Sequence, residues 1–259
     1  MRLSNVLPDI PGRQANTDRL VDTSVNGSIF RHMIISHQRR AIFFHNPKCA
    51  GTSVRRALQP FHDDPVRFRG IQAVPFLMND MDHSHLRLWE LQLLYPHIME
   101  AARSYRSAIL VRNPYHRFVS AVDEHYKVFQ PSVPFAAMTP EQQTETVETF
   151  LERGLTIERV LANFRFIHFS PQLWFIRLGD QRIPTNILPL DDQGHFADGI
   201  FACFGVASQP LPRENPSRRD LSHLFGSAQI MEFVRKFYAM DFWFLASEPS
   251  LRHLTREPR

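Results

Sequence analysis

The chain has 259 residues, 43 % of them hydrophobic and twenty-two of them Phe, enough for one domain with a substantial core. Its formal charge of +4 is mildly basic and too small to argue for a nucleic-acid partner, and no run reaches the roughly 18 apolar residues of a membrane helix, so no stable membrane insertion is expected. Two cysteines, Cys49 and Cys203, make neither a disulfide framework nor a zinc pattern, and the 13 histidines are scattered apart from the pair His83 and His85, so no metal site is expected. Met1 to Thr23 lacks the continuous apolar stretch of a signal peptide, and the expectation is a cytoplasmic protein in a reducing compartment.

In chain order, residues 1–38 read as a loosely ordered lead-in to a single domain over 39–259. Ala41-Ile42-Phe43-Phe44 is a short apolar run that fits a buried parallel strand. It stops at Asn46-Pro47, and a polar turn leads to Thr52-Ser53, which suit a helix cap, before Val54, Ala57 and Leu58 recur at helical spacing. Leu86 to Met99 has helical periodicity broken at Pro96. Ser107 to Val111 is a second buried strand, ended by Arg112-Asn113, and Pro114 opens a helix whose apolar face is Phe118, Val119, Val122 and Tyr126. Residues 128–140 form a surface excursion, Glu141 to Asn163 is helical with a break near Gly154, and Thr185 to Leu190 is a further strand. Gln209 to Asp220 is a Pro- and Arg-rich loop, Ile230 to Phe237 a closing amphipathic helix, and Phe242 to Leu245 packs after it. Strands alternating with helices predict an α/β domain with a central, mainly parallel sheet flanked by helices.

The segment from His45 to Ser53 links the first strand to the first helix. Successive backbone N–H groups of such a turn and the helix N-terminus suit an anion. Pro47, Lys48, Cys49, Ala50, Gly51, Thr52 and Ser53 make this candidate cradle: Gly51 allows close approach or positive φ, Thr52 and Ser53 offer hydroxyls, and Lys48 brings a mobile charge. It is not Walker A, because Lys48 precedes Gly51 by three residues instead of standing just before the hydroxyl residue.

This loop resembles the 5′-phosphosulfate loop of sulfotransferases, the carbohydrate sulfotransferases in particular. Val111-Arg112-Asn113-Pro114-Tyr115-His116-Arg117-Phe118-Val119-Ser120 is similar to the family's V-R-D/N-P-x-x-R-x-x-S motif. The resemblance implies that Arg112 and Ser120 bind the nucleotide 3′-phosphate, while Arg117 is equally a ligand contact or a solvated, salt-bridged helix charge. Three further segments extend the likeness over Ala41 to Leu245: His85 followed by a helix, the H-x-x-P-Q run His168 to Gln172, and the Y-x-x-D-F run Tyr238 to Phe242. The chain departs from the pattern in two respects. Asp191 and Asp192 stand near where many members carry Glu, and Cys49 stands where others often have Thr or another small residue.

The resemblance implies a P-loop-like sulfotransferase fold and 3′-phosphoadenosine 5′-phosphosulfate (PAPS) as sulfuryl donor. The acceptor is then a hydroxyl, on a carbohydrate or glycolipid, with no obligatory metal. Lys48 would stabilise charge on the bridging oxygen of the leaving phosphate, and the acceptor needs a general base. His85 is the first choice and His83 the second, with His168 shaping the site or packing against Trp174. Arg87, Arg213 and Arg218 would line an acidic acceptor or face solvent. Rival readings are a P-loop small-molecule kinase and a non-catalytic anion- or glycan-binding protein on the same fold.

Overall fold

The computed structural model describes residues 33–66, 68, 70–75, 79–190, 196–211 and 220–258. Residues 1–32 of the lead-in, Asp191, Asp192, Arg213 and Arg218 lie outside these described residues. In chain order the elements are β1 (Ile34–Ser36), β2 (Ala41–Phe44), α1 (Gly51–Leu58), β3 (Ile71–Val74), β4 (Asn79–Asp82), α2 (Leu88–Leu94), α3 (Pro96–Ser104), β5 (Arg106–Val111) and α4 (Pro114–Val128). They continue with α5 (Pro140–Glu152), α6 (Ile157–Ala162), β6 (Arg177–Leu178), β7 (Gln181–Arg182), β8 (Asn186–Pro189), α7 (Phe196–Phe204), α8 (Ala228–Phe237) and α9 (Ala239–Ser247).

The main sheet has the order β1-β2-β5-β8. β2 pairs with β5 and β5 with β8 in parallel, Phe44 lying opposite Ile109 and Val111 opposite Pro189. The two inner strands are buried on both faces, as parallel strands between helical layers are. Ile42, Phe44, Ile109 and Val111 point into one core with residues of α2, α3 and α9, while Ala41, Phe43, Ala108 and Leu110 point into another with α1 and α7. This alternation with a period of two is what an extended backbone imposes. A third core joins α4, α5, α6 and α8 around Phe118, Tyr126, Phe135 and Phe169, with Tyr126 and Phe135 stacked at 4.4 Å.

The expected α/β class holds. One boundary does not: the lead-in assigned up to residue 38 contains β1, an antiparallel edge strand paired Ile34 to Phe43 and Ser36 to Ala41. Its side chains are buried, and Asp63 fastens the turn beyond it by accepting from the backbone N–H groups of His37 (2.6 Å) and Gln38 (3.1 Å). Three residues are too few to show a period, so the strand carries no pattern of its own. Two small antiparallel sheets, β3-β4 and β6-β7, also lie outside the expected architecture. Among the described residues no helix is long and apolar enough to cross a membrane.

Pro96 does not merely break a helix. It occupies the first turn of α3, where its missing N–H costs nothing, so the periodic stretch from Leu86 becomes two helices. Pro114 does the same for α4, whose Asn113 cap accepts from the Tyr115 N–H at 2.9 Å.

Candidate functional site

β2 and β5 are adjacent and parallel, so the loops that follow them emerge side by side at the carboxyl edge of the sheet. Open α/β sheets bind ligands along that edge. The first of these loops runs from His45 to Ala50. Lys48 and Ala50 both have positive φ, 64° and 52°. The left-handed region costs an L-residue about 1–2 kcal/mol, so the loop keeps this shape only because its surroundings hold it.

The restraints come from three directions. Asn46 Nδ2 donates to the Leu110 carbonyl (2.9 Å) and to Gln172 Oε1 (3.1 Å). Arg117 Nε donates to the Pro47 carbonyl at 3.1 Å, and Arg112 reaches the Lys48 carbonyl at 3.5 Å. Cys49 is buried beneath the loop with Sγ 3.7 Å from Gln172 Oε1. Burial pushes its thiol up to about 11 against the pull of Arg117 and Arg112, so it stays protonated and packs inward. The departure from the family pattern at this position therefore lies on the hidden side of the loop.

α1 begins at Gly51, with Ala50 at the cap position and no side-chain cap. Thr52 and Ser53 are consequently first-turn residues and not the caps expected from the sequence. The first-turn donors of α1 thus have no capping side chain from Ala50, the arrangement in which a helix start accepts an anion. Gly51 does not use positive φ; a Cβ there would overlap the His45 ring, so its role is close approach. Buried Arg55 donates to the Gly51 carbonyl (3.0 Å) and to Thr52 Oγ1 (3.1 Å), which leaves the Thr52 hydroxyl proton to donate elsewhere.

Lys48 Nζ stands 3.2 Å from Glu124 Oε2 on α4. Burial would raise the Glu124 carboxyl, but the ammonium of Lys48, helped by Lys127, holds it below the usual carboxylate range. Ser120 lies four residues earlier on the same face of α4, half-buried.

Gln172 clasps the two loops together. Its Oε1 also accepts from the Arg112 N–H (2.9 Å), and its Nε2 donates to the Arg112 carbonyl (2.8 Å). Asp241, buried on α9, accepts from the backbone N–H groups of Gln172 (2.8 Å) and Leu173 (2.9 Å). Tyr238 donates its hydroxyl to the Phe169 carbonyl at 3.0 Å. The H-x-x-P-Q and Y-x-x-D-F segments are therefore braces for the loop, a role that sequence reasoning did not assign to Gln172 and Asp241.

Arg117 is not the solvated charge offered as one reading of the motif. It is fully buried, beside Cys49, Asp241 and the Tyr238 ring, and its guanidinium supports the loop from below. Arg87, expected to face solvent or an acidic acceptor, is likewise buried. It pairs with Glu90 (2.6 Å), donates to Ser170 Oγ (3.1 Å) and the Val160 carbonyl (2.5 Å), and lies over Trp174.

The turn His83–His85 follows β4, capped by Asp82 Oδ1 accepting from the Ser84 N–H at 2.9 Å. It brings the His85 ring to 4.4 Å from His45 of the loop and 5.1 Å from His168. His83 turns instead to the Tyr95 hydroxyl, 2.9 Å from Nδ1, and packs edge-on to that ring. Of the two alternatives for His168, packing against Trp174 is not what is found: its ring packs against His85 and Phe129. Burial first, then the charge of Lys48, lowers its imidazole to about 3, so it is neutral at ordinary pH. Among the described residues no group of three or more His, Cys, Asp or Glu side chains is arranged to hold a metal ion.

A model described as "Sulfotransferase family" matches residues 31–246 of the chain. No curated protein and no solved structure gives a significant match.

Proposed function

Because the chain belongs to the sulfotransferase family, we propose that it transfers a sulfuryl group from PAPS to an acceptor hydroxyl. The observation that carries the donor assignment is the clasped pair of loops: a cradle at an α1 start without a side-chain cap, tied through Gln172 to Arg112 at the end of β5. A donor with phosphate at both its 5′ and 3′ positions calls for two anion sites, and the loops supply two. Backbone N–H groups from Lys48 to Ser53, with the Thr52 and Ser53 hydroxyls, hold the 5′-phosphate. Arg112 and Ser120 hold the 3′-phosphate. Pro47 and Cys49 shape the cradle from behind, and Ala50 turns it.

In the transfer, the acceptor oxygen bonds to sulfur as the bond from sulfur to the bridging phosphate oxygen breaks. Lys48 faces the negative charge that grows on that bridging oxygen. The acceptor's proton goes to His85, whose ring lies against the loop through His45. His83, occupied with Tyr95, is the weaker choice as base. A saccharide or glycolipid acceptor follows from the likeness of the loop and of the His85 and Gln172 segments to carbohydrate sulfotransferases.

The reading is tested with adenosine 3′,5′-bisphosphate, the donor's product, in a thermal-shift comparison with ATP and Mg²⁺. At 100 times its Kd a ligand of the folded state adds about 2.7 kcal/mol of apparent stability, which for a domain of this size raises the midpoint by about 5–10 °C. Stabilisation by ATP with Mg²⁺ and not by the bisphosphate would move the protein to the kinase reading.

A further inference from the structure

We propose that Glu124 is a positioning residue of this transfer: it holds the Lys48 ammonium while the donor site is empty and takes it back when the bisphosphate product is to leave. This rests on the donor reading above. The geometry that suggests it is the contact of Lys48 Nζ with Glu124 Oε2 at 3.2 Å, with the two side chains only 19 % and 27 % exposed. Such a pair is screened by solvent less than a surface pair.

A carboxylate at this place is unfavourable for binding. It stands one helical turn from Ser120, on the face of α4 that looks at Lys48, in a site built for a polyanion. It repels the ligand and occupies the cation that the ligand needs. The neighbouring charges that keep it ionised are Lys48 first and then Lys127. The compensation lies in turnover. A cradle with a fixed lysine and no competing anion would retain the bisphosphate, whose 5′-phosphate gains charge when the sulfuryl group departs. Glu124 supplies the competitor within reach of the same ammonium, and the tether also restricts the rotamers that Lys48 samples in the empty site.

The test replaces Glu124 by Gln, which keeps the shape and a hydrogen-bond acceptor for Lys48 and removes the charge. Calorimetric titration with adenosine 3′,5′-bisphosphate is expected to show E124Q binding tighter than wild type by at least about 2- to 5-fold, the range that exposed ion pairs already reach. Product inhibition strengthens and kcat falls. In a Lys48→Ala background the gain from E124Q shrinks, because the pair has already been removed. A residue that merely supported the helix would give weaker binding and a lower melting temperature. Unchanged or weaker bisphosphate binding in E124Q overturns the inference while leaving the donor reading intact. Failure of the wild-type protein to bind the bisphosphate overturns the donor reading itself, and the role of Glu124 with it.

Discussion

Replacing Gln172 by Leu tests whether the two loops are one device. The substitution keeps a side chain of similar size at a position that is 2 % exposed, and removes every polar atom of the clasp. The Arg112 N–H and carbonyl lose partners at 2.9 and 2.8 Å, and Asn46 Nδ2 loses one of its two acceptors. Leaving a partly buried backbone donor and acceptor unpaired costs about 1–3 kcal/mol each, offset in part by water reaching the Arg112 side of the site, so about 2–4 kcal/mol is expected in all. For a domain of this size that is a drop of about 5–15 °C in the melting temperature. The second readout is specific to the site. Lys48 and Ala50 hold positive φ only while the loop is restrained, so bisphosphate affinity is expected to fall further than the loss of folded protein explains, measured well below the melting transition. A Q172L protein with the wild-type midpoint and wild-type affinity would refute the idea that Gln172 sets the loop.

Three further outcomes are expected. Lys48→Ala loses about 2–4 kcal/mol of transition-state stabilisation, roughly 30- to 1000-fold in kcat, with little change in melting temperature because its ion pair is partly exposed; near-normal turnover removes Lys48 from the chemistry. His85→Ala depresses kcat and keeps bisphosphate affinity, whereas loss of affinity with kcat preserved assigns the base elsewhere. His168 gives a pH signature: its folded-state value is lowered to about 3, below an ordinary 6.5, so the unfolded chain takes up its proton first and stability falls as the pH drops through that window. A His168→Gln variant is expected to lose less stability between pH 6.5 and 4 than wild type in urea titrations, and parallel curves would contradict the burial of the neutral ring.

How much of this was legible in the sequence depends on whether a residue's role follows from its own neighbours along the chain. Ala41 to Phe44 and Ala108 to Val111 are short runs without polar interruption, and their length and flanking breakers favour strands covered on both faces. The candidate loop was visible for the same reason, since loop, lysine and hydroxyls are contiguous. What escaped depends on contacts across the fold. β1 takes its identity from Phe43 and Ala41 opposite it. Thr52 looked like a cap because the left-handed turn at Ala50, held by Asn46 and Arg117 from outside the turn, is invisible in the residue types.

The arginines are the sharpest case. A charged residue on a helix reads as solvated, yet Arg117, Ala121 and His125 fall at four-residue steps and are all buried, so Arg117 sits on an inward-facing stripe of α4. That spacing was available in the sequence. Its consequence was not, because it requires Asp241, 124 positions further on, to lie beside the guanidinium. Burying an arginine is worthwhile only if its desolvation is offset by fixed partners, and removing one partner of such a pair is more damaging than removing both. Here Nε donates to the Pro47 carbonyl, the opposite charge of Asp241 and the Tyr238 ring lie nearby, and Nη1 and Nη2 have no hydrogen-bond partner among the described residues, so the offset is partial. The charge beneath the loop therefore couples three distant segments to one backbone shape, that of the loop from His45 to Ala50.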